Sequence, residues 1–346
     1  MKIAVGGLSW QNSSGTVAQF RGEGLGMALC LLGYELVEPS EQADFYLALN
    51  HFPREYRHWS RKYAPSRRIL VVWEPAAVIP ENFSQKNLKK YGKLLSFNSS
   101  VASYGVECTY FDWPQQPAAF QAHSIPNLSG RKVNSVGFIN TNKVAPMKGN
   151  NFQFRRNLIA HLSSTDLDTK VAGGGWTWTR SQTFEKNLLS VIWAIRHGRL
   201  PLFSDLAKVP PRHLKDRVAG WVDSKREFLG QCRFAVVVEN TNDYVSEKLF
   251  DAIAAGCVPL YYGPKLTEMG IPEGLAIQMD MNPRNWETII RSTPIGIQQQ
   301  IFDAGQSWIR SPEVENRWAA ERIFSDLARE IDSYIRRVSS TDSQLK

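Results

Sequence analysis

Apolar residues fall in short runs along this chain, and the runs alternate with stretches of helical spacing. Residues 2–5, 43–49, 68–73 and 94–98 are compact apolar runs that read as strands. Residues 24–36 read as an apolar helix broken near Gly33. Short apolar runs between helical stretches predict parallel α/β layering. Residues 112–132 then lose any clean period and hold three prolines, which marks a linker. A second α/β unit follows. Its strands are predicted at 133–140, 233–238 and 257–262, with helices at about 151–162 and 247–255. Val171 to Gly175 reads as a strand end with a tight loop. Residues 176–220, rich in Trp, Arg and Leu and broken by Pro210-Pro211, fit no clean pattern.

Near the end, Val314, Trp318, Ile323, Leu327, Ile331, Tyr334 and Ile335 recur at helical spacing and predict a long helix over 312–337. The expected organisation is an α/β chain of two Rossmann-like domains facing a cleft. The first covers 1–125 and the second 126–311. Helix 312–337 is free to pack back on the first domain or to pair with another chain, and 338–346 is a polar tail. In open sheets of this kind, ligands bind beyond the carboxyl ends of the strands.

Length agrees with that division, since 346 residues suggest about two domains at roughly 150 residues each. A hydrophobic share of 43% with 21% charged residues excludes a wholly disordered, collagen-like or disulfide-scaffold protein. The formal charge of +8 favours anionic partners: nucleotides, sugar phosphates, nucleic acid or an acidic membrane surface. Cys30, Cys108, Cys232 and Cys257 lie far apart without zinc-ligand spacing, and are expected to be reduced and mostly buried. The first residues read as a strand rather than a signal peptide, and no run approaches the ~18 apolar residues of a membrane span. A cytoplasmic protein is expected, with any membrane contact peripheral.

The chemistry gathers between Phe234 and Gly263. Here a buried strand ends in Glu239-Asn240, a polar turn follows, and Ser246 is a good N-cap for a helix with apolar Leu249, Phe250, Ile253 and Ala254. Gly256 ends that helix and the next strand closes a β-α-β unit. Glu239, Asn240, Tyr244, Glu247 and Lys248 thus collect at a strand end and a first helical turn. Free N–H groups and a positive dipole end suit phosphate there, and Lys248 adds a full charge.

The stretch from Glu239-Asn240 through Tyr244-Val-Ser-Glu-Lys248 to Gly263 resembles the donor-binding signature of the α1,3-fucosyltransferase family. Supporting pieces stand in the same order. They are Phe138-Ile-Asn140-Thr-Asn142-Lys143, Phe154-Arg155-Arg156-Asn157-Leu158, the Val171-Ala-Gly173-Gly174-Gly175 loop and Lys225-Arg-Glu-Phe228-Leu229. In the first domain, Val72-Trp73-Glu74-Pro75, with Asn82 beyond, is similar to the segment carrying the proposed catalytic carboxylate. Val238 stands where the family has Phe, and Ser246 where it has Thr. The loop from Asn240 to Tyr244 is short, and 176–220 looks like an insertion.

The resemblance implies a glycosyltransferase B fold and inverting transfer of fucose from GDP-fucose to a glycan hydroxyl in α1,3 linkage. It implies Glu74 as general base, taking the acceptor proton as the oxygen attacks the anomeric carbon. It implies an arginine on the diphosphate. Arg155 and Arg156 point about 100° apart on a helix, so only one can face it, and Arg156 keeps step with the family. Lys248 is the second phosphate ligand, and Tyr244 and Glu247 hold ribose or donor sugar. Glu239, Asn240 and Asn140 line the pocket, and Gly174 and its neighbours admit the nucleotide backbone-close.

No metal or other cofactor is required on this reading. Asp166-Leu-Asp168 spells DxD, but in a Ser-Ser-Thr loop that reads as a solvated turn. The six histidines show no ligand spacing. Arg54, Arg57, Arg61, Lys62, Arg67 and Arg68, interleaved with Tyr56, Trp59 and Tyr63, form a basic stretch that suits nucleic acid, an anionic glycan or a lipid surface, but reads first as a solvated helical face. The expected partners are the nucleotide sugar and a glycan or lipid-linked oligosaccharide, as on a bacterial surface polysaccharide, with nucleic acid not expected. Two other readings stand beside this one: the same chemistry with a different nucleotide-sugar donor, and a non-catalytic nucleotide-sugar- or nucleic-acid-binding module.

Overall fold

The computed structural model describes residues 1–8, 16–121, 127–145, 149–196, 201, 203 and 206–344. The chain divides into two compact units, Met1–Pro114 with Asn316–Lys346, and Gln115–Glu315. Each is built on a six-stranded sheet whose neighbours all pair in parallel.

In the first unit the strands are β1 (Lys2–Gly6), β2 (Glu35–Val37), β3 (Phe45–Leu49), β4 (Arg68–Val72), β5 (Lys93–Ser96) and β6 (Glu107–Tyr110). Their order is β2-β1-β3-β4-β5-β6. Every residue of β3, β4 and β5 is buried, as expected of strands covered on both faces. The predicted helix over 24–36 ends at Leu31 instead, and its tail becomes β2. Gly33, at φ +88°, turns the chain in a conformation other residues rarely adopt.

The terminal helix runs Ala320–Gln344, after a separate helix Pro312–Trp318. It laces the first unit together. Tyr34 donates to Asp332 at 2.7 Å, Tyr334 donates to the Ser66 carbonyl at 2.8 Å, and buried Lys93 pairs with Glu107 and Glu330. The segment expected as a polar tail is helical through Gln344, and the Ser340 and Thr341 hydroxyls bond back to the Arg337 carbonyl within it.

The second unit holds β7 (Ser135–Ile139), β8 (Asp168–Ala172), β9 (Val218–Gly220), β10 (Phe234–Val238), β11 (Val258–Tyr262) and β12 (Ile277–Gln278). Their order is β12-β11-β10-β7-β8-β9, the doubly wound Rossmann arrangement, with the reversal between β7 and β10. Trp176, Trp286, Phe138, Phe154 and Phe234 fill one core on this sheet. The unit begins at Gln115 rather than near 126. The turn Pro117–Ala119 leads Phe120 onto Phe250, ring centroids 6.3 Å apart, so this proline-rich stretch is packed and not a free linker. Residues 122–126 of that stretch, with His123, lie outside the described residues, as does His197.

The stretch 176–220 holds helix Arg180–Arg196, the short helix Arg212–Lys215 and edge strand β9. Phe184, Leu188, Leu189 and Ile195 on the long helix are exposed. Two expectations are corrected. Cys232 and Cys257 are buried, but Cys30 and Cys108 are half-exposed. The basic stretch is not all surface. Arg68 is buried, its guanidinium donating to the Tyr56 hydroxyl and to the carbonyls of Arg61, Tyr63 and Lys90. Among the described residues no helix is long and apolar enough to cross a membrane.

Candidate functional site

The reversal between β7 and β10 opens a crevice at their carboxyl ends, which is where an open sheet binds ligands. A cavity of about 250 Å³ lies there. Asn140 follows β7, Gly173 follows β8, Trp221 follows β9 and Asn240 follows β10, and all four border it. The first turn of helix Glu247–Ala254 adds Glu247 and Lys248, and helix Lys225–Gly230 adds Lys225. Arg155 reaches it from helix Phe152–Ser163.

A hydrogen-bonded chain fixes the helix start. The Glu239 carboxylate, fully buried, accepts from the Ser246 amide at 2.9 Å and from its hydroxyl at 2.6 Å. Ser246 Oγ in turn accepts from Lys248 Nζ at 2.7 Å and caps the Lys248 amide at 3.4 Å. Burial pushes the Glu239 carboxyl above its ordinary pKa, with Lys248 and Ser246 pulling it back only in part. Glu247 shifts the other way. Burial acts to raise it, but Lys248 and Lys225 outweigh that and hold it below the usual carboxylate range.

The five polar residues grouped by sequence therefore separate into two layers. Asn240, Glu247 and Lys248 border the cavity. Glu239 and Tyr244 lie buried outside that lining, and Tyr244 accepts from Asn240 Nδ2 at 3.1 Å. They hold the lining residues rather than forming the wall.

The two arginines also separate. It is Arg155, not Arg156, that borders this cavity. Arg155 Nη2 donates to the Val238 carbonyl at 2.7 Å and to Asn240 Oδ1 at 3.0 Å, while its Nε is buried without a hydrogen-bond partner. Burial lowers its pKa to about 10, with Glu239, Tyr244 and Glu247 opposing, so it stays a cation at neutral pH. Arg156 is only half-buried, bonds the Lys143 carbonyl at 2.7 Å and lines a separate cavity beside Trp176 and Lys208. The helix phase decides this, because the buried face already carries Phe154, Leu158 and Ile159 with Arg155.

Asn140 keeps its main chain occupied, donating to the Ala172 carbonyl at 3.0 Å and accepting from Trp176 Nε1 at 2.5 Å. Its side-chain Nδ2 is buried without a partner. Gly173 is at φ +112°, and a Cβ there would stand 2.2 Å from the Asn140 carbonyl oxygen. Gly173 is therefore held to glycine by the close approach of the Asn140 main chain. Gly174, the residue singled out by sequence, sits against Trp221 instead and is not part of the lining.

Glu74 belongs to the first unit. It follows β4 and is half-buried. Its amide donates to Asn50 Oδ1 at 3.0 Å, and its carbonyl accepts from Asn82 Nδ2 at 3.1 Å. Asn50, at φ +68°, also takes the Trp73 amide at 2.9 Å and Asn82 Nδ2 at 2.8 Å. This clamp sets the backbone from which the Glu74 side chain leaves. Asp166 and Asp168 of the DxD are drawn into ion pairs with Arg291 and Lys132. Among the described residues no group of three or more His, Cys, Asp and Glu is placed to hold a metal ion.

Sequence reasoning missed Trp221, Lys225 and Asp251 in the lining. A tryptophan directly after a glycine and just before the polar Asp223-Ser224 was the available signal.

No family model matches the chain. A segment is 31% identical over 93 residues to GDP-fucose protein O-fucosyltransferase 3 of Danio rerio, covering 26% of this chain and 19% of that protein. The likeness thus spans less than a fifth of the relative. An α-glucosyltransferase solved with UDP and a 13-mer DNA matches 97% of this chain and 99% of its own at TM-score 0.55 and 11% identity. An α1,3-fucosyltransferase solved with GDP-fucose matches 97% and 90% at 0.54 and 14%. Anabaena HepE, solved with UDP and glucose, matches 96% and 100% at 0.51 and 12%. These likenesses show the fold: two Rossmann-like units of the glycosyltransferase B type.

Proposed function

We propose that this chain is a nucleotide-sugar-dependent glycosyltransferase, and that it transfers fucose from GDP-fucose to a glycan hydroxyl with inversion and α1,3 linkage. One observation carries the reading. At the β7/β10 reversal, a glycine-walled crevice presents Lys248, Lys225 and Arg155 beside Asn140, Asn240 and Glu247. Cations at a helix start suit a diphosphate, and a half-exposed carboxylate beside them suits ribose or sugar hydroxyls. The local likeness to an O-fucosyltransferase and the fold shared with a GDP-fucose-bound enzyme support fucose as the donor sugar.

In the proposed reaction the acceptor oxygen attacks the anomeric carbon and its proton passes to Glu74. The bond from that carbon to the diphosphate oxygen breaks, and GDP leaves with the electron pair. Lys248, steadied by Ser246, stabilises the charge that develops there. Arg155 holds Asn240 and adds its positive field; Arg156, bordering another cavity, has no part in this step. No step in this scheme calls on a metal. We place the enzyme in the cytoplasm, with a glycan or lipid-linked oligosaccharide as acceptor. The exposed apolar residues of helix Arg180–Arg196 support contact with a lipid surface.

The UDP-bound neighbours favour a second reading, the same chemistry with another donor. Calorimetry against GDP, UDP, CDP and ADP, followed by hydrolysis of the matching nucleotide sugars, decides between them. GDP binding with GDP-fucose turnover upholds fucose. Selective binding of UDP transfers the assignment to a UDP-sugar. No binding of any nucleotide removes the glycosyltransferase reading.

A further inference from the structure

Trp221 is 78% exposed, although it borders the cavity at the β7/β10 reversal. Leaving so large an apolar surface in water is unfavourable, and the local backbone is built to keep it there. Gly220, at φ +75°, precedes it, and the Gly220 carbonyl accepts from the Gly173 amide at 2.6 Å. This bond ties the end of β9 to the end of β8. A Cβ on Gly174 would lie 3.0 Å from Trp221 Cζ2, so the glycine turn passes directly against the indole edge. The ring has no aromatic or cationic partner among the described residues.

The cavity is thus amphipathic in a particular sense. Trp221 and Val222 give it an apolar wall, while Lys248 and Arg155 supply positive charge, with Glu247 and Asp251 beside them. A ligand with an aromatic ring, a hydroxylated middle and an anionic end fits that array. We infer that Trp221 is the platform on which the nucleobase of the bound nucleoside diphosphate stacks, its edge held beside the Gly173-Gly174 turn. This rests on the proposed donor site and names the residue that recognises the base rather than the phosphates. Stacking explains an otherwise exposed indole, and it makes base recognition separable from the cationic end of the cavity.

The test uses the full chain and compares GDP with inorganic pyrophosphate, by calorimetry and by intrinsic fluorescence. Trp221→Ala should weaken GDP roughly ten- to hundredfold, the range of base–aromatic stacking, and leave pyrophosphate affinity unchanged. Trp221→Phe should keep most of the GDP affinity but lose most of the GDP-dependent fluorescence change. If Trp221→Ala binds GDP as the wild type does, the stacking role is overturned while the donor site stands. If GDP and pyrophosphate weaken equally, the substitution has distorted the whole cavity and the stacking role is again overturned. If the wild type binds none of GDP, UDP, CDP and ADP, the donor site itself fails and this inference with it.

Discussion

Glu239 and Ser246 are joined twice, the carboxylate accepting from both the amide and the hydroxyl of the serine. The serine hydroxyl then accepts from the Lys248 ammonium, so one buried carboxylate sets both the helix start and the direction of a lysine. Glu239→Gln turns one acceptor into a donor facing Ser246 and removes the countercharge of Lys248. A loss of about 1–3 kcal/mol follows from leaving buried groups mismatched. In a unit of this size that lowers Tm by several degrees, at roughly 2–4 °C per kcal/mol. Thermal denaturation measures it, and an unchanged Tm would show that the double bond is not what holds the turn.

Adjacent arginines should behave differently. Arg155→Ala removes a buried guanidinium and leaves the Val238 carbonyl and Asn240 without a donor. It should cost on the order of 3 kcal/mol in stability and weaken GDP about tenfold. Arg156→Ala should stay within about 0.5 kcal/mol of the wild type, with GDP affinity unchanged. Urea unfolding and calorimetry on the pair test both; a larger effect from Arg156 would refute the assignment.

Stability should fall in acid through His51. Its ring is buried, bonded to the Tyr91 hydroxyl at 2.7 Å, and burial, helped by nearby Lys90, lowers its pKa from 6.5 to about 3. Between those values the unfolded chain takes up a proton that the folded chain refuses. The contribution is therefore complete above pH 6.5 and lost progressively as the pH falls towards 3. Its slope can approach about 1.4 kcal/mol per pH unit. His51→Asn keeps a polar group near Tyr91 and should flatten this part of the curve. Urea midpoints across pH 4–7 check it; parallel curves for variant and wild type would rule His51 out.

Glu74→Gln should lower transfer by roughly a hundred- to ten-thousandfold, the share of a general base. GDP affinity should not change, since the residue lies in the first unit and the cavity is walled by the second. Full turnover by Glu74→Gln would remove it as the base.

A charge on the exposed face of helix Arg180–Arg196 should disturb only lipid contact. Phe184→Glu with Leu188→Glu is expected to abolish co-sedimentation with anionic vesicles while leaving GDP binding intact. Equal sedimentation of wild type and variant would show that this face does not meet lipid.

The hydrophobic pattern located the inner strands of both sheets and passed over β2, β6, β9 and β12, which are the four edges. The reason is physical. Inner strands such as β4 and β10 are covered on both faces and read as continuous apolar runs. β6, Glu-Cys-Thr-Tyr, is partly exposed throughout, and β12 has two residues. The same limit governed the site. Asn240, Glu247 and Lys248 were legible because a single β-turn-helix segment carries them. Trp221 and Lys225 reach the cavity because β9 and the helix after it lie beside β8, an adjacency no local pattern encodes. Arg155 and Arg156 are neighbours of identical chemistry, and only the packed face of their helix separates them.

The order of synthesis bears on how this molecule is made. The residues that finish the first unit are translated after the whole of the second, because helix Ala320–Gln344 belongs with the sheet that contains Lys2. Gln115–Glu315 is continuous and can close its own sheet earlier. Meanwhile Tyr34 waits for Asp332, Lys93 for Glu330, and Gly24 for the ring of Phe324 that lies against it. Until that helix emerges from the ribosome the first unit stands unfinished with apolar surface uncovered, which makes that interval one in which a chaperone has much to protect.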